Sequence, residues 1–72
     1  MIAVQVSTRT KLYFEMVEDT FPNKGGFYCK VYRDNSTDFP FGEFVIDRNI
    51  TRGDRAKGNI YAVQKIKEMY RR

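Results

Sequence analysis

Phe27-Tyr28-Cys29-Lys30-Val31-Tyr32 is the stretch on which the fold turns. Its strict alternation puts Phe27, Cys29 and Val31 on one side and Tyr28, Lys30 and Tyr32 on the other, the period of a strand buried on one face. Before it stands a turn cluster, Pro22-Asn23-Lys24-Gly25-Gly26, where proline fixes φ and glycine supplies positive φ. After it comes a polar loop, Asp34-Asn35-Ser36-Thr37-Asp38, and Pro40 then leads into Phe41-Gly42-Glu43-Phe44-Val45-Ile46. That run reads as a second strand with Phe44 and Ile46 inward, and the two strands are expected to pair as an antiparallel hairpin.

Further upstream, Ile2, Val4 and Val6 share a phase with Leu12, Phe14 and Met16, all at even positions. One long bent strand, or two broken at Ser7-Thr8-Arg9-Thr10, puts them on a common face. Residues 10–21 admit a competing reading, because Tyr13, Met16, Val17 and Phe21 also fit a helical stripe that Pro22 would stop. Strand is favoured, since Tyr, Phe and Val suit a pleated surface.

Downstream the period changes to about 3.6. Ala56, Ile60, Val63, Ile66 and Tyr70 recur at helical spacing, with Met69 beside them and Lys65, Lys67, Glu68, Arg71 and Arg72 on the opposite arc. This is an amphipathic helix with Thr51, Asp54 and Asn59 as competing starts. Thr51 with Asp54 imitates a capping box, and Asn59 follows Gly58 as an N-cap. Glycine inside a helix costs about 1 kcal/mol relative to alanine, so Gly58 favours a kink or a later start. The expected fold is α+β: one small two-layer domain over residues 1–72, an antiparallel sheet of three or four strands packed by one C-terminal amphipathic helix.

Charge divides along the chain. Residues 1–47 hold 5 Lys and Arg against 7 Asp and Glu, a net of −2, whereas residues 48–72 hold 8 against 2, a net of +6. The basic members are Arg48, Arg52, Arg55 and Lys57 before or at the start of the helix, and Lys65, Lys67, Arg71 and Arg72 on it or just beyond. Such asymmetry favours polyanions or an acidic partner surface. A solvated helix face is the plain alternative, although this excess of cations surpasses what solubility requires.

Composition removes whole classes of function. The chain has no histidine and a single cysteine, Cys29, so an internal disulfide, zinc or iron–sulfur ligation and Ser-His-Asp or Cys-His catalysis lack their residues. No catalytic residues, metal ligands or cofactor are expected, and the chain reads as non-enzymatic. The adjacent acids Glu18-Asp19 and the pair Asp34 and Asp38 fall in turns, where such residues are commonplace. Arg52-Gly53-Asp54 matches an integrin-read tripeptide, and Asn35-Ser36-Thr37 and Asn49-Ile50-Thr51 match glycosylation acceptors. Short patterns of this kind arise by chance and carry meaning only in secreted chains. No apolar run approaches the roughly 20 residues of a bilayer span, and Met1–Gln5 has no basic region before its short apolar run. The expected location is cytoplasmic, with no membrane partner.

A second constellation is Tyr28, Lys30 and Tyr32 on the outward side of one strand, where aromatics flanking a cation can stack unpaired bases. Cross-strand packing of the tyrosines is the ordinary alternative, and Glu15 and Glu43 on the same side would repel phosphates. The leading expectation is a nucleic-acid-binding accessory protein that uses the basic loop–helix surface. The competing one is a compact inhibitor or adaptor on an acidic surface of a larger protein, anchored by a strand edge or by Tyr61 or Tyr70. A homodimer through exposed edge strands is compatible with both.

Overall fold

The computed structural model describes residues 1–34, 39–40 and 42–70. Residues 35–38, Phe41, Arg71 and Arg72 lie outside the described residues, so the expected polar loop, the Phe41 start of the last strand and the two terminal arginines are not described. Four strands, β1 (Ile2–Gln5), β2 (Lys11–Glu18), β3 (Phe27–Tyr32) and β4 (Gly42–Ile46), are followed by a short helix α1 (Arg48–Thr51) and a long helix α2 (Arg55–Tyr70). The strands form one antiparallel sheet in the order β1-β2-β3-β4.

Alternation sets the register. Phe14 pairs with Val31 and Met16 with Cys29, while Cys29 pairs with Phe44 and Phe27 with Ile46, so the apolar phases of β2, β3 and β4 meet on one face. Val4, Val6, Leu12, Phe14, Met16, Phe27, Cys29, Val31 and Ile46 are buried there with Ala62 and Ile66 of α2. Residues 11–18 are strand, and the helical stripe considered for this segment does not form. Pairing of β2 with both neighbours outweighs the weaker 3.6-residue pattern.

The segment between β4 and α2 contains more structure than the sequence suggests. Asp47 caps α1 by accepting from the Asn49 N–H at 2.7 Å. Arg52 then adopts a left-handed conformation, φ 50° and ψ 40°, and Gly53 continues at φ 83°, which ends the helix. Asp54 starts α2: its Oδ1 accepts from Ala56 N–H at 2.9 Å and its carbonyl from Gly58 N–H at 3.1 Å. The tripeptide Arg52-Gly53-Asp54 thus has a local task at every position. Thr51 is no cap. It is buried, and its hydroxyl donates to the Gly25 carbonyl.

The face that α2 buries is rotated from the expected stripe. Gly58, Ala62 and Ile66 are buried, Tyr61, Val63 and Tyr70 pack beside the core, and Ala56 and Ile60 are exposed, Ile60 at 62%. The reason is steric. A Cβ on Gly58 would stand 3.1 Å from Met16 Cε and 3.2 Å from its Sδ, so the missing side chain and the small Ala62 admit the helix close to the sheet. Gly58 therefore marks a contact and neither kinks the helix nor delays its start. Tyr70, at the far end, brings its hydroxyl to β4 at Gly42, so α2 runs along the strands from the Met16–Phe27 end to the Gly42 end.

Candidate functional site

The two faces of this sandwich differ in chemistry. The sheet face turned away from α2 carries cross-strand rows set by register: Tyr13 beside Tyr32, Glu15–Lys30–Glu43, and Val17–Tyr28–Val45. Tyr32 is 2% exposed although it lies on this outer side, and its hydroxyl donates to Glu15 Oε1 at 2.8 Å. The expected platform of Tyr28, Lys30 and Tyr32 is therefore corrected at Tyr32, whose ring is closed to a stacking base. Burial raises the Tyr32 phenol above its ordinary value, helped by the Glu15 bond. The Tyr28 phenol is raised mainly by its hydrogen bond to Glu43. Both phenols are held by carboxylates, and Lys30 stands between those same two carboxylates. With Lys11 also outward, the strands give this face two cations against two carboxylates.

The helix layer is different. Arg48 and Arg52 are exposed on α1 and its cap, and Lys57 and Lys67 are exposed on α2. Arg55 is engaged elsewhere: Nη1 donates to the Met16 carbonyl at 3.2 Å and the guanidinium lies 5.2 Å from the centre of the Phe27 ring. Pairing with β1 covers β2 only as far as Phe14, so Arg55 meets a carbonyl on the stretch of β2 beyond that pairing. It fastens α2 to the sheet. Lys65 is half-buried, with Nζ 5.9 Å from the centre of the Phe44 ring. Two residues on a helix are about 200° apart, so Lys65 and Lys67 lie on opposite flanks of α2 and do not share one arc. Arg71 and Arg72 lie outside the described residues. Tyr61 and Tyr70 pack against the core.

Tertiary structure adds a cation that sequence reasoning missed. The β2–β3 loop is fastened to α1 through Asn23, whose Nδ2 donates to Asp19 Oδ2 at 2.9 Å and to the Ile46 carbonyl at 3.1 Å, while its Oδ1 accepts from Arg48 N–H at 2.8 Å. The Asn23 bond, with one from Thr20 N–H, lowers the Asp19 carboxyl below its ordinary value. Gly53 N–H donates to the Gly25 carbonyl at 2.7 Å. Gly26 leaves no room for a side chain, since a Cβ there would lie 2.3 Å from the Ile46 carbonyl oxygen. These contacts bring Lys24 beside the backbone of Arg48 and Arg52, at the N-terminal end of α2.

The outward line of α2 is Lys57, Ile60, Gln64 and Lys67, which lie within about 80° of one another around the helix. Asn59, Ile60, Val63, Gln64 and Lys67 border an open depression of about 400 Å³. The spacing of Gly58, Ala62 and Ile66 by fours was the sequence signal for this orientation, because small residues permit the closest helix approach. Cys29 is fully buried, and burial pushes its thiol from 9.0 up to about 12, which keeps it protonated at neutral pH. Among the described residues no group of three or more His, Cys, Asp and Glu is placed to hold a metal ion, and no helix is long and apolar enough to cross a membrane. No family model, curated protein or solved structure matches the chain.

Proposed function

We propose that the protein is a small non-enzymatic nucleic-acid-binding accessory protein whose contact surface is the outer side of α2 together with the α1 end of the molecule. The observation that carries this reading is the segregation of charge between the two faces. Lys24, Arg48, Arg52, Lys57 and Lys67 belong to the helix side or its N-terminal end, while on the open sheet face Lys11 and Lys30 are balanced by Glu15 and Glu43. Segregation of this kind orients a polyanion on approach and gives several cations access to one backbone. The competing reading, a module docking on an acidic protein surface, draws on the same cations; its tyrosine anchors Tyr61 and Tyr70 are packed against the core, which leaves the edges of β1 and β4 as its anchors.

Fluorescence anisotropy with labelled 20-nucleotide and 20-base-pair probes tests the proposal. Five phosphate contacts correspond to a slope of log K against log salt of about −4 to −5. Arg52→Ala and Lys57→Ala should each reduce that slope by about 0.9 on a duplex. No binding to any probe at 50 mM salt, or a slope near zero, overturns the reading.

A further inference from the structure

Resting on the nucleic-acid reading, the geometry of α2 points to a more specific ligand: we infer that α2 is a reading helix for the major groove of B-form duplex DNA. Ile60 and Gln64 meet base edges, and Lys57 and Lys67 reach the phosphates on either side.

Three features converge. First, α2 is the long helix of the layer that covers the sheet. Its 16 residues extend about 24 Å, and its width of about 10–12 Å matches a major groove about 12 Å across. Second, the residues at the crest alternate in chemistry in a way that suits a groove. Lys57 and Lys67 stand at the two edges of the line, about 80° apart around the helix and about 15 Å apart along it, so their long side chains lean toward opposite walls of a groove that holds the helix. Between them stand an apolar side chain and an amide. Ile60 is 62% exposed, and a branched aliphatic is a good contact for the thymine methyl. Gln64, one turn further on, has the paired donor and acceptor that adenine displays at N7 and N6. Third, the cations gathered by the Asn23 loop, Lys24, Arg48 and Arg52, lie at the N-terminal end of the same helix, where a neighbouring phosphate run would pass. Glu68 borders this line, about 20° around the helix from Lys57 and about 40° from Gln64, and its exposed carboxylate opposes phosphate contact at that edge. Exposed Ala56 adds no bulk at the leading turn.

The ligand shape follows from the same dimensions. The A-form RNA duplex has a deep, narrow major groove that side chains cannot read, and a single strand has no groove walls for Lys57 and Lys67 to span. The proposed ligand is therefore duplex DNA with an A·T-containing site.

The test uses the full chain and three probes of one sequence: a 20-base-pair DNA duplex, the matching RNA duplex and the DNA single strand. Selection from a pool of randomised DNA duplexes accompanies it. Wild type should bind the DNA duplex at least about tenfold more tightly than either other probe. The selected sites should contain a preferred adenine or thymine. Ile60→Ala and Gln64→Ala, both at exposed positions and checked for folding by circular dichroism, should leave the salt slope unchanged. Each should erase a preference of about fivefold or more at one base pair. Lys57→Ala and Lys67→Ala should weaken all sequences alike and lower the slope by about 0.9 each. Salt-dependent binding that is equal on the three probes, or stronger on RNA or the single strand, overturns the groove assignment and leaves the broader function standing. A selected preference that survives in the Ile60→Ala and Gln64→Ala variants overturns it as well. Absence of salt-dependent binding to every probe overturns both.

Discussion

Asn23→Ala removes no charge and lies in a loop, yet it should be among the most damaging loop changes in this protein. The side chain makes three hydrogen bonds, to Asp19 Oδ2 at 2.9 Å, to the Ile46 carbonyl at 3.1 Å and from Arg48 N–H at 2.8 Å. Each such bond contributes about 0.5–1.5 kcal/mol net, and the acceptor on buried Ile46 is the hardest of the three for water to replace. The sum is about 2–3 kcal/mol. For a domain of this size that corresponds to a fall of about 10–20 °C in the thermal midpoint, measured by circular dichroism at pH 7. The pH dependence adds a second check. Asp19 is lowered chiefly by the Asn23 bond, so its contribution is present above the ordinary aspartate range and is lost as pH falls through the lowered value. The gap between wild type and Asn23→Ala should therefore narrow below about pH 4. Asn23→Asp should be worse than alanine at pH 7, because it sets a second carboxylate beside Asp19 and against the Ile46 carbonyl, and should recover part of its loss on acidification. A midpoint shift smaller than about 3 °C for Asn23→Ala would refute the claim that this side chain joins the loop to α1.

Two further expectations follow from burial. Ile66→Ala should cost about 2–5 kcal/mol in denaturant unfolding, whereas Ile60→Ala should stay within about 0.5 kcal/mol. The reverse order would mean that α2 is turned about its axis relative to the face described. Cys29 should react with iodoacetamide at pH 8 at least about a hundredfold more slowly in the folded protein than in denaturant, since its thiol is pushed to about 12. The stability linked to this thiol is complete below pH 9.0 and declines as pH rises toward about 12, because the unfolded chain loses its proton first. Tyr28 and Tyr32, raised above 10.0, add to that decline as pH rises past 10.0, within the same window. A native alkylation rate close to the denatured one would place Cys29 at the surface.

The sequence by itself determined the faces of the strands and the division of charge. A strand offers only two faces, so the alternation of Phe27, Cys29 and Val31 against Tyr28, Lys30 and Tyr32 leaves one binary choice, which burial settles locally. The even phase shared by Leu12, Phe14 and Met16 then aligns with it through the register. A helix has no such binary choice. Its rotation about the axis is continuous, and hydropathy alone gives Ile60 to the core and leaves Gly58 out. Only packing against Met16 and Phe27 decided the opposite, because close approach rewards the absence of a side chain. The same physics explains the other differences. Arg55 counts as a surface cation until β2 offers it a carbonyl and Phe27 a ring. Tyr32 reads as exposed on the outer side until its neighbours close over it. Lys24 joins Arg48 and Arg52 only because Asn23 bridges segments 25 residues apart. Local sequence encodes what one element exposes. Which of those groups stand together depends on contacts between elements, and those are properties of the folded chain alone.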